Sequence, residues 1–184
     1  MPASRPEPFL PNRAGEARSL VEDALISAAI TGTVASVVSG ALLSTVALAE
    51  GRGPLQPVNA TSHWMHGPEA GRRRSADLVH TGVGYVTHHA SAVFWALPFE
   101  LWVRRSRLEG GEILGAAGVV AAAAAVLDYG ILPRKLAPGW EHALSRSGVA
   151  TGFVGLALGL AAGAVVTRVC RQERRRRTSR RRPY

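Results

Sequence analysis

The sequence predicts an all-α fold, an integral membrane bundle of four transmembrane helices. Two observations support this prediction. Four segments reach membrane-spanning length with few charged residues, and most of the net charge of +9 lies in the last 17 residues. A helix needs about 20 residues to cross about 30 Å of hydrocarbon, so each segment is long enough. The segments lack the alternating polarity of barrel strands, which excludes strands as the spanning elements.

The predicted spans differ in the polar residues they carry. The first and the fourth contain no charged residue, the third contains only Asp128, and the second contains Glu100 and three histidines. In chain order the spans are 25–48, 78–103, 113–132 and 147–167. Together they form a transmembrane domain, 25–167, which separates an N-terminal segment, 1–24, from an Arg-rich tail, 168–184.

The distribution of basic residues predicts the orientation. The N-terminal segment, the second loop and the tail hold 15 Lys and Arg residues, whereas the first and third loops hold seven. Because positive residues favour the cytoplasmic side, both termini are expected to be cytoplasmic. The stretch 47–49 has the A-x-A form of a signal-peptidase site, but the apolar run before it is unusually long and follows Glu22 and Asp23. Both features depart from the usual pattern of a signal peptide and disfavour cleavage after Ala49, although the sequence does not exclude it.

The composition also limits the possible partners. The basic residues are concentrated in the tail and not spread over a folded face, so a nucleic-acid partner is not expected. The expected partners are the lipid bilayer and, at the tail, anionic lipid head groups. Cys170 is the single cysteine, so a disulfide framework is excluded.

Small residues recur at every fourth position in two spans. The first span carries the series Ala28, Gly32, Ser36, Gly40 and Ser44, and the fourth carries Ser147, Thr151, Gly155, Gly159 and Gly163. Such stripes let helix backbones approach closely, which drives helix association within lipid. The stripes predict packing within the chain, while a homo-oligomer stays open.

The second span has a polar face. At helical spacing, one side collects Asp77, His80, Thr87, His88 and Ser91, whereas His89 points elsewhere and is expected to contact another helix. Hydrocarbon offers these groups no polar partner, so the face should turn inward, with His80 or His88 approaching Asp128. Glu100 precedes Arg104 by one helical turn and is expected to form an ion pair at the inner membrane surface.

The polar residues of the outer side form a candidate metal site. Imidazole and carboxylate groups together suit Zn-like divalent transition metals, while Ca²⁺ and Mg²⁺ prefer oxygen ligands. Ionisable groups in a span are costly, which makes them functional candidates. The candidate ligands are His63, His66, Asp77, His80, His88, Asp128, Glu141 and His142. Structural hydrogen bonds between helices and a proton path are the alternative roles of these residues.

Four stretches of the chain, 59–67, 80–89, 95–100 and 138–141, resemble small four-span inner-membrane proteins of bacteria that carry no assigned function. The resemblance implies a four-span fold and no particular activity. Three functions stay open: a membrane protein with a His/carboxylate site on its outer side, a membrane-embedded metal-dependent hydrolase, and a structural or partner-binding subunit. Haem ligation is disfavoured, because every histidine within a span lies on the second one.

Overall fold

The computed structural model describes residues 13–180, and it describes side chains for 21–173 and 176. All regular structure within 13–180 is helical, which confirms the all-α prediction. The α-helices are α1 (Arg13–Ala49), α2 (Gln56–Ala60), α3 (His63–His66), α4 (Val83–Arg105), α5 (Gly111–Val126) and α6 (Arg146–Arg180). Helices α1 and α6 therefore continue beyond the predicted spans, into the N-terminal segment and the tail.

Three helical segments are long and apolar enough to cross a membrane, namely Val21–Ala49, Gly111–Ile131 and Arg146–Glu173. The chain therefore has the features of a membrane protein. The predicted second span corresponds to a π-helical turn, Leu78–Gly82, that continues directly into α4. This segment is less apolar than the other three, because it carries Glu100 and three histidines.

Helices α1 and α6 pack antiparallel along the glycine stripe of α6. A side chain at Gly159 would meet the Cα atom of Ala35 at 2.5 Å, and one at Gly163 would meet the Cα atom of Thr31 at 2.6 Å. Backbones this close leave no room for a Cβ atom at either glycine. The predicted role of the α6 stripe in packing within the chain is confirmed.

Helix α4 packs on a different face of α1. A Cβ atom at Gly32 would lie 2.5 Å from the Cα atom of Val93, and Ser36 Oγ lies 3.0 Å from His89 Nδ1. The small-residue stripe of α1 thus contacts α4, and His89 contacts another helix as predicted. Helix α5 packs mainly on α6 and has fewer contacts with α4.

The two longer connections, 50–77 and 132–145, fold together over one end of the bundle, which we call the capped end. Asn59 is fully buried and donates from Nδ2 to the carbonyl of Arg73 (2.9 Å), while Thr81 donates to Asn59 Oδ1 (2.6 Å). Trp140 Nε1 donates to Thr61 Oγ1 across the two connections (3.2 Å). These contacts bring His63 and His66 back onto the bundle, as a shared metal site requires.

Glu50 joins the end of α1 to the beginning of α6. Its carboxylate accepts hydrogen bonds from the hydroxyl (2.5 Å) and the backbone N–H (3.0 Å) of Ser145. The Ser145 hydroxyl in turn accepts from the N–H of Gly148, so it caps the first turn of α6 (3.1 Å). The hydrogen bonds from Ser145, the hydroxyl first, hold the pKa of Glu50 below its ordinary value of 4.5.

We expect Glu50 to stabilise the fold in a pH-dependent way. Since its pKa is lower in the folded protein, its contribution is fully present above pH 4.5 and is lost as the pH falls through the lowered folded pKa. Melting temperatures of wild type and Glu50→Gln in detergent should differ near pH 7 and converge in acid. A difference between the two proteins that is independent of pH would contradict this role.

Candidate functional site

A cavity of about 590 Å³ lies between α4 and the end of α5, beneath the connections of the capped end. Its walls are largely apolar and aromatic, contributed by α4, α6 and the third loop: Phe94, Trp95, Trp140, Phe153 and Leu156. Phe94 and Leu136 line the cavity and are each highly exposed, so the cavity opens to the outside of the bundle there. It can therefore accept an apolar molecule from the side.

Three buried polar residues, Ser39, Thr61 and His88, line this cavity, and His88 is only 7% exposed. Its Nε2 atom lies 3.1 Å from the carbonyl oxygen of Ser36, to which its N–H must donate a hydrogen bond, and 3.2 Å from Ser39 Oγ. A neutral imidazole that donates from Nε2 keeps an unprotonated Nδ1. Within the described residues this Nδ1 has no hydrogen-bond partner, so it is free to accept one from a ligand.

Asp128 and Lys135 add charged groups to the same cavity. Asp128 lies in a π-helical turn, Leu127–Ile131, that extends α5 at the capped end. Such turns are rare and occur frequently at functional sites. The cavity therefore combines an apolar body with a carboxylate, an ammonium group and an imidazole.

The predicted polar face of the second span is divided between two places. Thr87, His88 and Ser91 line the cavity together with Asp128, whereas Asp77 and His80 bind each other near the surface of the capped end. No hydrogen bond joins either histidine to Asp128 in the part of the chain that the structure describes. His88 and Asp128 line the same cavity without a hydrogen bond between them among the described residues.

Asp77 and His80 form the second group, together with His66. His80 Nδ1 lies 3.0 Å from Asp77 Oδ1, and the imidazole rings of His66 and His80 are 4.7 Å apart between centroids. The backbone N–H of His80 donates to the same carboxylate (2.6 Å) and, as the main cause, holds the pKa of Asp77 below its ordinary value. His66 Nε2 is buried without a hydrogen-bond partner among the described residues.

A third group contains the remaining candidates, His63, His142 and Glu141. The rings of His63 and His142 are 5.3 Å apart between centroids, and His63 Nε2 lies 3.1 Å from the carbonyl oxygen of Arg134. Glu141 accepts a hydrogen bond from the Tyr129 hydroxyl (2.8 Å). Both nitrogens of His63 lie against backbone carbonyls, since Nδ1 is 3.1 Å from that of Ala60. These contacts leave His63 little freedom to bind a metal.

The eight predicted metal ligands therefore fall into three groups and not one. Among the residues that the structure describes, no three His, Cys, Asp or Glu side chains come close enough together to hold one ion. Metal binding stays a prediction, and its best-arranged pair of imidazoles is His66 with His80. Asp77 would fix the ring of His80, in the way that carboxylates orient metal-binding histidines.

Sequence reasoning placed Glu100 at the membrane surface, and the structure places it inside the bundle. Its side chain is fully buried between α1, α4 and α6, where Oε1 accepts from Thr31 (2.6 Å) and Thr167 (3.4 Å). Oε2 lies 3.6 Å from Arg104 Nε, so the predicted ion pair is present. No pattern in the sequence marks Thr31 and Thr167 as hydrogen-bond partners of Glu100.

Comparisons of the chain with protein-family models, with curated proteins and with solved structures gave no match.

Proposed function

We propose that this chain is a four-span protein of the bacterial inner membrane, with both termini cytoplasmic, that binds one lipid-like amphiphile in the cavity of its capped end. Helix α4 and the turn before it form the second of the four spans. Their polar residues face α1, α6 and the cavity, so a low average hydropathy does not prevent the segment from crossing. The excess of basic residues at the opposite end supports an orientation with the capped end outside.

The observation that carries this proposal is the composition of the cavity. An apolar pocket with a few convergent polar groups is the usual form of a small-molecule site. The aromatic walls suit an acyl chain, and the opening beside Phe94 faces the lipid that surrounds the bundle. His88 Nδ1 and Asp128 can accept hydrogen bonds from a head group, and Lys135 can pair with its phosphate.

Three of the four tryptophans line the cavity and can report on its occupant. Trp64, Trp95 and Trp140 are lining residues, whereas Trp102 lies near the other end of α4. In a Trp102→Phe background, a phosphatidylethanolamine with brominated acyl chains should quench the fluorescence in a saturable way. Unbrominated phosphatidylethanolamine should reverse the quenching by competition.

Two matched variants distinguish the cavity from the general lipid contact. Ala92 lines the cavity and is 3% exposed, so Ala92→Phe should fill part of it and weaken the saturable quenching. Ala122→Phe, on an exposed position of α5, should leave the quenching unchanged. Asp128→Asn keeps the shape of the side chain and should also weaken binding. Quenching that is not saturable, or that all three variants leave unchanged, would favour a structural subunit.

As a second proposal, the imidazoles of His66 and His80 bind a metal ion, with Asp77 orienting the ring of His80. Purified wild-type protein should then contain a Zn-like ion, and the His80→Ala variant should lose it. The His89→Ala variant should retain the ion, because His89 contacts α1 and lies outside this group.

A further inference from the structure

A second pocket, of about 660 Å³, lies at the other end of the bundle, where α4 ends and the distal part of α6 passes the loop before α5. Its polar lining is strongly basic: Arg104, Arg107, Arg168 and Arg171, with Glu109 and Gln172. We call it the basic pocket. It is separate from the cavity of the capped end and shares no lining residue with it.

Contacts to the backbone hold three of the arginines in place. Arg104 donates to the carbonyl of Asp23 (2.8 Å), Arg168 donates to the carbonyl of Leu108, and Arg171 Nε donates to the carbonyl of Thr167 (3.3 Å). A guanidinium group has more donors than these contacts use. The arginines are thus oriented while donors remain for a ligand.

The positive charge of the basic pocket is only partly compensated. Arg104 has two carboxylates near it, Glu100 at 3.6 Å and Asp23 at 4.0 Å. Arg107, Arg168 and Arg171 form no ion pair in the part of the chain that the structure describes. A cluster of positively charged arginines favours the binding of an anion. A planar guanidinium group can bind two phosphate oxygens at once.

The position of the pocket favours a lipid as the source of that anion. Arg168 and Arg171 lie at the end of the apolar segment of α6, within one turn of the exposed side chains of Val165 and Val169. Charged groups at this level meet the head groups of the bilayer, and basic pockets on the cytoplasmic side of membrane proteins attract anionic lipids. We propose that the basic pocket binds the phosphodiester head group of an anionic phospholipid.

The test is native mass spectrometry of the full chain released from detergent with added phosphatidylglycerol or phosphatidylcholine. Wild type should retain phosphatidylglycerol in preference to phosphatidylcholine. The triple variant Arg107→Gln, Arg168→Gln, Arg171→Gln should lose this preference, by about fivefold in affinity for each arginine removed. The control triple Arg72→Gln, Arg105→Gln, Arg146→Gln removes the same charge at exposed positions outside the pocket and should retain the preference.

Three results would overturn the proposal. Equal retention of both lipids would show that no anion is selected, and equal loss in both triple variants would show that only the total charge matters. Release of phosphatidylglycerol by millimolar inorganic phosphate would assign the pocket to a soluble phosphate. The basic pocket and the cavity of the capped end have different lining residues, so failure of this test would leave the proposal for the cavity unaffected.

Discussion

Arg104→Ala should destabilise the protein by about 3–5 kcal/mol, the usual cost of leaving one member of a buried ion pair alone. Glu100 is fully buried, and Arg104 is the cation nearest to its Oε2 atom, at 3.6 Å. Without the guanidinium group, the hydrogen bonds left to the carboxylate among the described residues are those from the hydroxyls of Thr31 and Thr167. Unfolding of the detergent-solubilised protein by sodium dodecyl sulfate measures the loss.

A double variant separates the pair from general packing. Glu100→Gln with Arg104→Met removes both charges and keeps similar volumes, so it should cost less than Arg104→Ala alone. If the double variant is less stable than the single one, the buried charge is not the source of the loss.

Gly159→Ala should cost about 1–3 kcal/mol, because the added methyl group forces α1 and α6 apart. The Cβ atom would lie 2.5 Å from the Cα atom of Ala35, which belongs to the backbone of a helix and cannot rotate away. The same substitution at Gly118 of α5 meets no atom within 4 Å and is the matched control. Gly118→Ala should be neutral or slightly stabilising, since alanine favours helix over glycine. Equal effects at the two positions would contradict close packing of α1 on α6.

The helices and their close contacts could be predicted from local patterns. Long apolar runs identify α1, α5 and α6, and the glycine spacing of α6 identifies the face that receives α1. His89 was assigned to a helix contact by its angular position alone, and it lies against Ser36 as expected. These features follow from the helical spacing of residues within a single segment, so they can be predicted without knowing which distant segments pack together.

The grouping of the polar residues could not be predicted in the same way. The first loop folds against the third loop through contacts such as that between Thr61 and Trp140, which joins residues far apart in the sequence. The way in which the two loops fold decides which histidine rings come close to one another. His66 therefore lies beside His80, and His63 lies beside His142, where a single convergent cluster was expected.

Whether α4 crosses the membrane can be tested directly with the single native cysteine. Four spans place the N-terminus and Cys170, which is exposed, on the same side, whereas three spans would place them on opposite sides. Single-cysteine variants Ala76→Cys and Ser106→Cys, in a Cys170→Ser background, flank α4. In intact cells with a permeabilised outer membrane, a maleimide that cannot cross the inner membrane should label Ala76→Cys only. Labelling of Ser106→Cys and of native Cys170 from outside would show that α4 does not span and would contradict the account.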